Sequence, residues 1–191
     1  PVTHISAYSL ILEKGTILNK MVLKGEIEMQ DEEIDSELYE TTMDFLSEHG
    51  FSHYEVSNYC KPGFECKHNR IYWDCKNYLS FGTSAHSYMD GKRWWNYSAL
   101  SIYNATVEKR NIAIAGDELL SENDLYEESI MLGLRSRGLN LNSPSKSNWF
   151  QKRKQIIEGL IEAGKMIKEG NWIKLTRDGF LVCDEIVERL L

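Results

Sequence analysis

The order of elements in roughly the first sixty residues constrains this chain more than any other feature. Val2-Thr3-His4-Ile5-Ser6-Ala7-Tyr8 reads as a strand, and Glu13-Lys14-Gly15-Thr16 as the turn that ends its approach. A loop follows to about Gln30. Asp31 with Glu32, Glu33 and Asp35 then marks a helix start: a carboxylate oxygen caps free N–H groups, and acids suit the positive end of the helix dipole. Ile34, Leu38, Phe45 and Leu46 supply an apolar stripe, and Gly50 a stop. His53-Tyr54-Glu55-Val56-Ser57-Asn58 follows as one strand, closed by Pro62-Gly63. Strand, helix, strand, with a helix long enough to cross over, predicts a parallel α/β unit.

The pattern changes further along. Residues 66–76 read as a short helix, 78–88 as part strand and part small-residue turn, and Asp90-Gly91 as a hairpin turn into Arg93-Trp94-Trp95-Asn96. Helices are expected over about 98–109 and 121–137, the second opened by a capping-box variant with Ser121 and Asp124. Residues 143–147 read as a loop, and a helix through Ile156, Ile157, Leu160 and Ile161 ends near Gly164. A hairpin about Glu169-Gly170-Asn171 precedes a last helix from Arg177 carrying Phe180, Leu181, Ile186, Val187 and Leu190. Helix, hairpin, helix is similar to a winged-helix module.

Composition bounds the class. With 42% hydrophobic residues, three prolines and thirteen glycines in 191 residues, the chain is neither collagen-like nor disordered. No apolar run approaches the ~20 residues that cross a bilayer. Four cysteines are too sparse for a disulfide scaffold and favour a reducing, cytosolic setting. The chain opens on strand residues without an initiator Met, so the expectation is a piece of a longer protein. The net charge of −7 is local: residues 1–50 hold 11 acids against 3 bases, and residues 51–150 hold 11 of each. Nucleic-acid binding, which demands a basic footprint, is not expected; Lys152-Arg153-Lys154 is the only basic cluster of the C-terminal helix-hairpin-helix.

Chemistry concentrates in residues 54–95. This segment is rich in Tyr, Trp and Phe and holds His68, His86, Cys60, Cys66 and Cys75. Its cations are Lys61, Lys67, Arg70, Lys76, Lys92 and Arg93, against Glu55, Glu65, Asp74 and Asp90. A flat apolar ligand with anionic edges suits such a mixture: rings to stack on, an imidazole for a metal, cations for carboxylates. From composition alone, core filling is the commoner reason for such an aromatic cluster. The thiols, spaced six and nine apart, match no common zinc pattern, and with His68 they leave one unconventional four-ligand set open. His49 and His53 read as structural or solvated, and Cys183 as a small core hydrophobe. No P-loop, nucleophile elbow or Rossmann glycine pattern is present.

Four stretches together resemble a known family. His4-Ile5-Ser6-x-Tyr8-x-Leu10, Tyr54-Glu55-Val56-Ser57-Asn58, Pro62-Gly63-x-Glu65-Cys66 and Gly82…Ala85-His86-Ser87-Tyr88 are similar to the HemW/HemN radical-SAM group. The group comprises oxygen-independent coproporphyrinogen III oxidases and their haem-chaperone relatives. The likeness covers nearly the whole chain, including Leu175-Thr176-x-x-Gly179-x-x-Val182, and corresponds to the C-terminal half of a family member. His68-Asn69-x-x-Tyr72-Trp73 fits the HNxxYW signature of the chaperone branch, which true oxidases lack.

The resemblance implies the following. The fold is α/β, α+β overall: residues 1–97 are closing strands of a partial parallel βα barrel. Residues 98–191 are a mostly helical domain, winged-helix-like over 150–191. His68 contacts haem iron, with Asn69, Tyr72 and Trp73 as its motif neighbours. Ile11 and Met89 approach S-adenosylmethionine. The CxxxCxxC run that holds a [4Fe–4S] cluster is absent here, so no cluster ligands and no catalytic residues are assigned, and the chain alone is not expected to cleave S-adenosylmethionine. The parent is expected to be a cytoplasmic haem chaperone, peripheral to membranes where its haem-accepting clients lie. Radical oxidation of coproporphyrinogen III is the alternative. A homodimer is among the allowed states, and the opening strand's free edge invites self-association.

Overall fold

The computed structural model describes residues 2–191. Strand β1 is short, His4–Ser6, and helix α1, Ile17–Leu23, forms inside the expected loop. Thr16 makes that helix possible, its side chain accepting from the Asn19 N–H at 3.2 Å. Helix α2 spans Glu32–Glu48, and Asp31 caps it as the sequence predicts, accepting from the Ile34 N–H at 2.9 Å. The buried face of α2 differs from the expected stripe. Met43 and Leu46 are buried, whereas Ile34, Leu38 and Phe45 are exposed.

The sheet corrects the parallel expectation. The 53–58 segment folds back on itself as β2 (Ser52–Glu55) and β3 (Asn58–Cys60), with Val56-Ser57 as the turn. Strand β3 inserts between β1 and β2 and runs antiparallel to both, with Ile5 opposite Tyr59 and His53 opposite Tyr59. Strands β1 and β2 therefore do run the same way, as a crossover requires, yet they never pair. The turn is held from both sides. The Val56 N–H donates to the Arg135 carbonyl at 3.0 Å, and the Tyr39 hydroxyl donates to the Val56 carbonyl at 2.6 Å. Met43, Leu46 and Tyr59 form a small core here, with Ile5, Ala7, Tyr39, Phe51 and Leu181 around it.

Helix α3 covers Lys67–Trp73. Strands β4 (His86–Met89) and β5 (Lys92–Asn96) form the expected hairpin on Asp90-Gly91, whose φ values of 49° and 85° suit the tight turn that matches strand twist. Helix α4, Leu100–Arg110, leads to β6, Ile114–Leu119, which returns to pair with β5. Helix α5, Glu122–Leu134, carries the predicted capping box in full.

The larger core lies beyond. Strand β7 (Leu139–Asn140) joins β8 (Met166–Glu169) and β9 (Trp172–Leu175) in the order β7-β9-β8. Residues 143–147 are not a loop: Ser143 caps helix α6, Pro144–Lys152, with Pro144 in its first turn, where a missing N–H costs nothing. Helix α7 is Lys154–Glu162. The last helix is two pieces, α8 (Arg177–Phe180) and α9 (Cys183–Leu190). Ile130, Leu134, Trp149, Ile157, Ile173, Ile186 and Leu190 are sealed within this core, as is Cys183. No helix among the described residues is long and apolar enough to cross a membrane.

Candidate functional site

Helix α3 begins after the Pro62-Gly63 turn, where Gly63 has φ 82° and the Phe64 N–H donates to the Lys61 carbonyl at 3.0 Å. Two turns of helix give the HNxxYW motif its logic. His68 and Tyr72 are four apart, as are Asn69 and Trp73, so each pair shares a face. Asn69 faces the Tyr54 hydroxyl. That hydroxyl also lies 2.8 Å from His4 Nε2 and accepts from the Cys66 N–H at 3.4 Å. Burial pushes the Tyr54 phenol up. Trp73 lines a cavity of about 120 Å³ with Tyr54, Arg70 and Arg137. This inner pair meets Tyr54 of β2, which in turn reaches His4 of β1.

Of the outer pair, His68 faces solvent and Tyr72 is half-buried. The His68 ring is exposed, and its Nε2 lies 2.7 Å from the Tyr72 hydroxyl, with the rings edge-to-face at 4.9 Å. An accessible imidazole held by a phenol is a competent iron ligand, since its second nitrogen takes its tautomer from the hydrogen bond. The aromatic run continues inward: Tyr72 to Tyr78 is 4.5 Å between centroids, and Tyr78 to Tyr88 is 6.1 Å. The run enters a cleft of about 370 Å³ between α3, the β4–β5 hairpin and α5. Tyr72, Tyr78, His86 and Tyr88 line it with Arg93 and, from α5, Glu128, Met131 and Leu132.

The cleft's hairpin face follows from register. His86 pairs with Trp95 and Tyr88 with Arg93, so all four share one side of the sheet. His86 and Trp95 stack at 5.7 Å. Arg93 is held by Glu128 at 2.6 Å and Glu118 at 3.0 Å. Cys75, at φ 51°, also borders the cleft, and burial pushes its thiol up.

Other expected positions sit apart from this cleft. Met89 alternates to the opposite face of the hairpin from His86 and Tyr88, and Ile11 is exposed in the irregular segment after β1. His49 Nδ1 donates to the Phe45 carbonyl, 2.7 Å away, and His53 stacks on Tyr59 at 4.5 Å. Among the described residues no three His, Cys, Asp or Glu side chains converge as a metal site. The set of Cys60, Cys66, Cys75 and His68 therefore does not assemble, and the residues present do not fit a [4Fe–4S] cluster, which needs three converging thiolates. Sequence reasoning missed the α5 wall. Glu128, Met131 and Leu132 stand at helical spacing, which places them on one face but does not say what that face meets.

Comparison with known proteins follows the same lines. No family model matches the chain. Over 191 residues it is 35% identical to a Mycobacterium tuberculosis protein named Heme chaperone HemW, covering all of this chain and 48% of that one. A Lactococcus lactis protein of the same name is 34% identical, over 98% of this chain and 50% of its own length. The bovine mitochondrial radical S-adenosyl methionine domain-containing protein 1 is 29% identical, at 98% and 46%. The chain matches the C-terminal half of HemW/HemN-like proteins. It spans about half the length of the curated relatives it matches. The Escherichia coli radical SAM enzyme HemN, coproporphyrinogen III oxidase, shares the fold at TM-score 0.60 and 18% identity, over 79% of this chain and 39% of that one.

Proposed function

We propose that this chain is the haem-handling part of a HemW-type haem chaperone, and that His68 is its contact with the iron. One observation carries the reading: the His68 imidazole is exposed on α3 with a phenol hydroxyl as its side-chain partner, so a metal can reach it without unfolding anything. Asn69 and Trp73 hold the helix, and Tyr72 orients the ring. The relatives named as haem chaperones support the cargo.

In the whole protein, S-adenosylmethionine and a [4Fe–4S] cluster would be supplied with ligands from outside this chain, and Ile11 and Met89 are proposed as its S-adenosylmethionine contacts. The organisation proposed is a barrel-derived unit over 1–97 and a helical unit over 98–191, winged-helix-like from 150. The protein would work in the cytoplasm, peripheral to the membrane, passing haem to membrane-bound acceptors. The oxidase reading rests on the fold shared with HemN.

Haem titration followed by optical absorption tests the proposal. The wild-type chain should give a shifted Soret band, and His68→Ala should lose it with at least a tenfold weaker affinity. An identical spectrum and affinity in His68→Ala would remove His68 from the site. Anaerobic conversion of coproporphyrinogen III by the full-length protein would favour the oxidase instead.

A further inference from the structure

The cleft shares only Tyr72 with the HNxxYW motif, and its walls come from three separate elements. Its about 370 Å³ falls within the range of small-molecule sites, roughly 300–1,000 Å³. The composition is that of such a site: three phenol rings and an imidazole around an apolar floor of Met131 and Leu132. The rings are not sealed into a core. His86 is exposed, and Tyr72, Tyr78 and Tyr88 are half-buried. The ring series from His68 through Tyr72 and Tyr78 to Tyr88 leads directly into it, with centroid steps of 4.9, 4.5 and 6.1 Å.

We infer that this cleft seats the face of a planar tetrapyrrole, with His86 and Tyr88 as binding residues in addition to His68. The inference rests on the haem reading above and extends it from one iron ligand to a ring-binding surface. Stacking supplies the recognition: tyrosine and imidazole faces meet a macrocycle face at modest entropic cost, because each ring has few torsions to freeze. Charge contributes less. Arg93 already faces Glu118 and Glu128, and Lys76 already faces Asp74 at 3.0 Å. Binding through the cleft should therefore depend weakly on salt, unlike binding through free cations.

Metal-free protoporphyrin IX separates the cleft from the iron ligand, because it has a ring face but no iron. Quenching of tryptophan fluorescence reads its binding, since Trp95 stacks on His86 at the cleft. Wild type and His68→Ala should bind the metal-free ring equally well, within about twofold. His86→Ala and Tyr88→Leu should each weaken it about tenfold while leaving the far-UV circular dichroism unchanged. His86 is exposed, so His86→Ala carries the test if Tyr88→Leu does not fold. If haem binds through His68 but the metal-free ring does not bind, or binds regardless of His86 and Tyr88, the cleft assignment is overturned and the haem reading stands. Failure of both haem and porphyrin to bind wild type overturns the two together.

Discussion

The Tyr72 hydroxyl occupies Nε2 of His68 at 2.7 Å, which decides how an iron would meet this ring. With Nε2 engaged, Nδ1 is the nitrogen left for the metal, and the phenol oxygen accepts the remaining N–H and fixes the tautomer. Outer partners of this kind are worth 10–100-fold in metal affinity. Tyr72→Phe keeps the ring and removes the oxygen, so haem titration should show about tenfold weaker binding on the proposed reading. Unchanged or tighter binding would mean that iron takes Nε2 and the phenol competes with it. Glu55 makes a second residue-scale case. It is fully buried on β2, one carboxylate oxygen lacks a partner among the described residues, and burial raises its pKa above the usual carboxylate value. A raised folded-state pKa means the native form holds its proton more tightly than the unfolded chain. Stability from this group is thus full below about pH 4.3 and is lost as pH rises through the folded value. Thermal melts of Glu55→Gln should lose that decline and show a higher Tm than wild type at pH 7. A pH profile parallel to wild type would exclude Glu55 as its source. The sequence marks Glu55 as a strand residue, a local counter-charge and part of a family stretch, but not as buried, because its burial depends on the chain turning back at Val56-Ser57.

Elements whose ends are set locally were legible in advance. Asp31, Ser121 and the Asp90-Gly91 turn carry their chemistry in neighbouring residues, and each performs as its local pattern requires. Ser121→Ala removes an oxygen that accepts from the Asp124 N–H at 3.2 Å, and should cost about 1 kcal/mol of stability in denaturant titration. The α2 stripe failed for the opposite reason. Which helical face is buried depends on what packs there, and the sheet meets Met43 and Leu46 rather than Ile34 and Leu38. Gly179 shows a tail residue whose reason is tertiary. It lies buried within α8, and a Cβ there would meet the Lys165 carbonyl oxygen at the entry to β8. Backbone cannot step aside as a side-chain tip can. Gly179→Ala should cost about 1–3 kcal/mol, read as a lowered denaturation midpoint at unchanged slope. A midpoint within error of wild type would mean that the α8–β8 contact is loose.

At the scale of the molecule, what the sequence could not reveal is strand neighbourhood. The helix between β1 and β2 correctly implies that both run the same way, but it cannot show that the next three residues of strand will slip between them. That insertion satisfies one side of β1 through Lys61 N–H to Thr3 and Ala7 N–H to Ser57. The other side of β1 has no strand partner among the described residues. Val2, Tyr8, Leu10 and Ile11 flank β1 along the chain and are all largely exposed. An open edge amid apolar side chains is a template for a second chain, since its N–H and C=O groups already lie in strand geometry. The isolated 191-residue chain should therefore associate as its concentration rises, seen by sedimentation velocity as a shift to larger species. Charges at the two ends of the edge should oppose this without touching the core, because Val2 and Tyr8 are 64% and 72% exposed. Val2→Lys combined with Tyr8→Lys should hold the chain monomeric at concentrations where wild type associates, with the same melting curve. Association unchanged by both lysines would place the contact elsewhere, most directly on the exposed outer face of α2 that Ile34, Leu38 and Phe45 form.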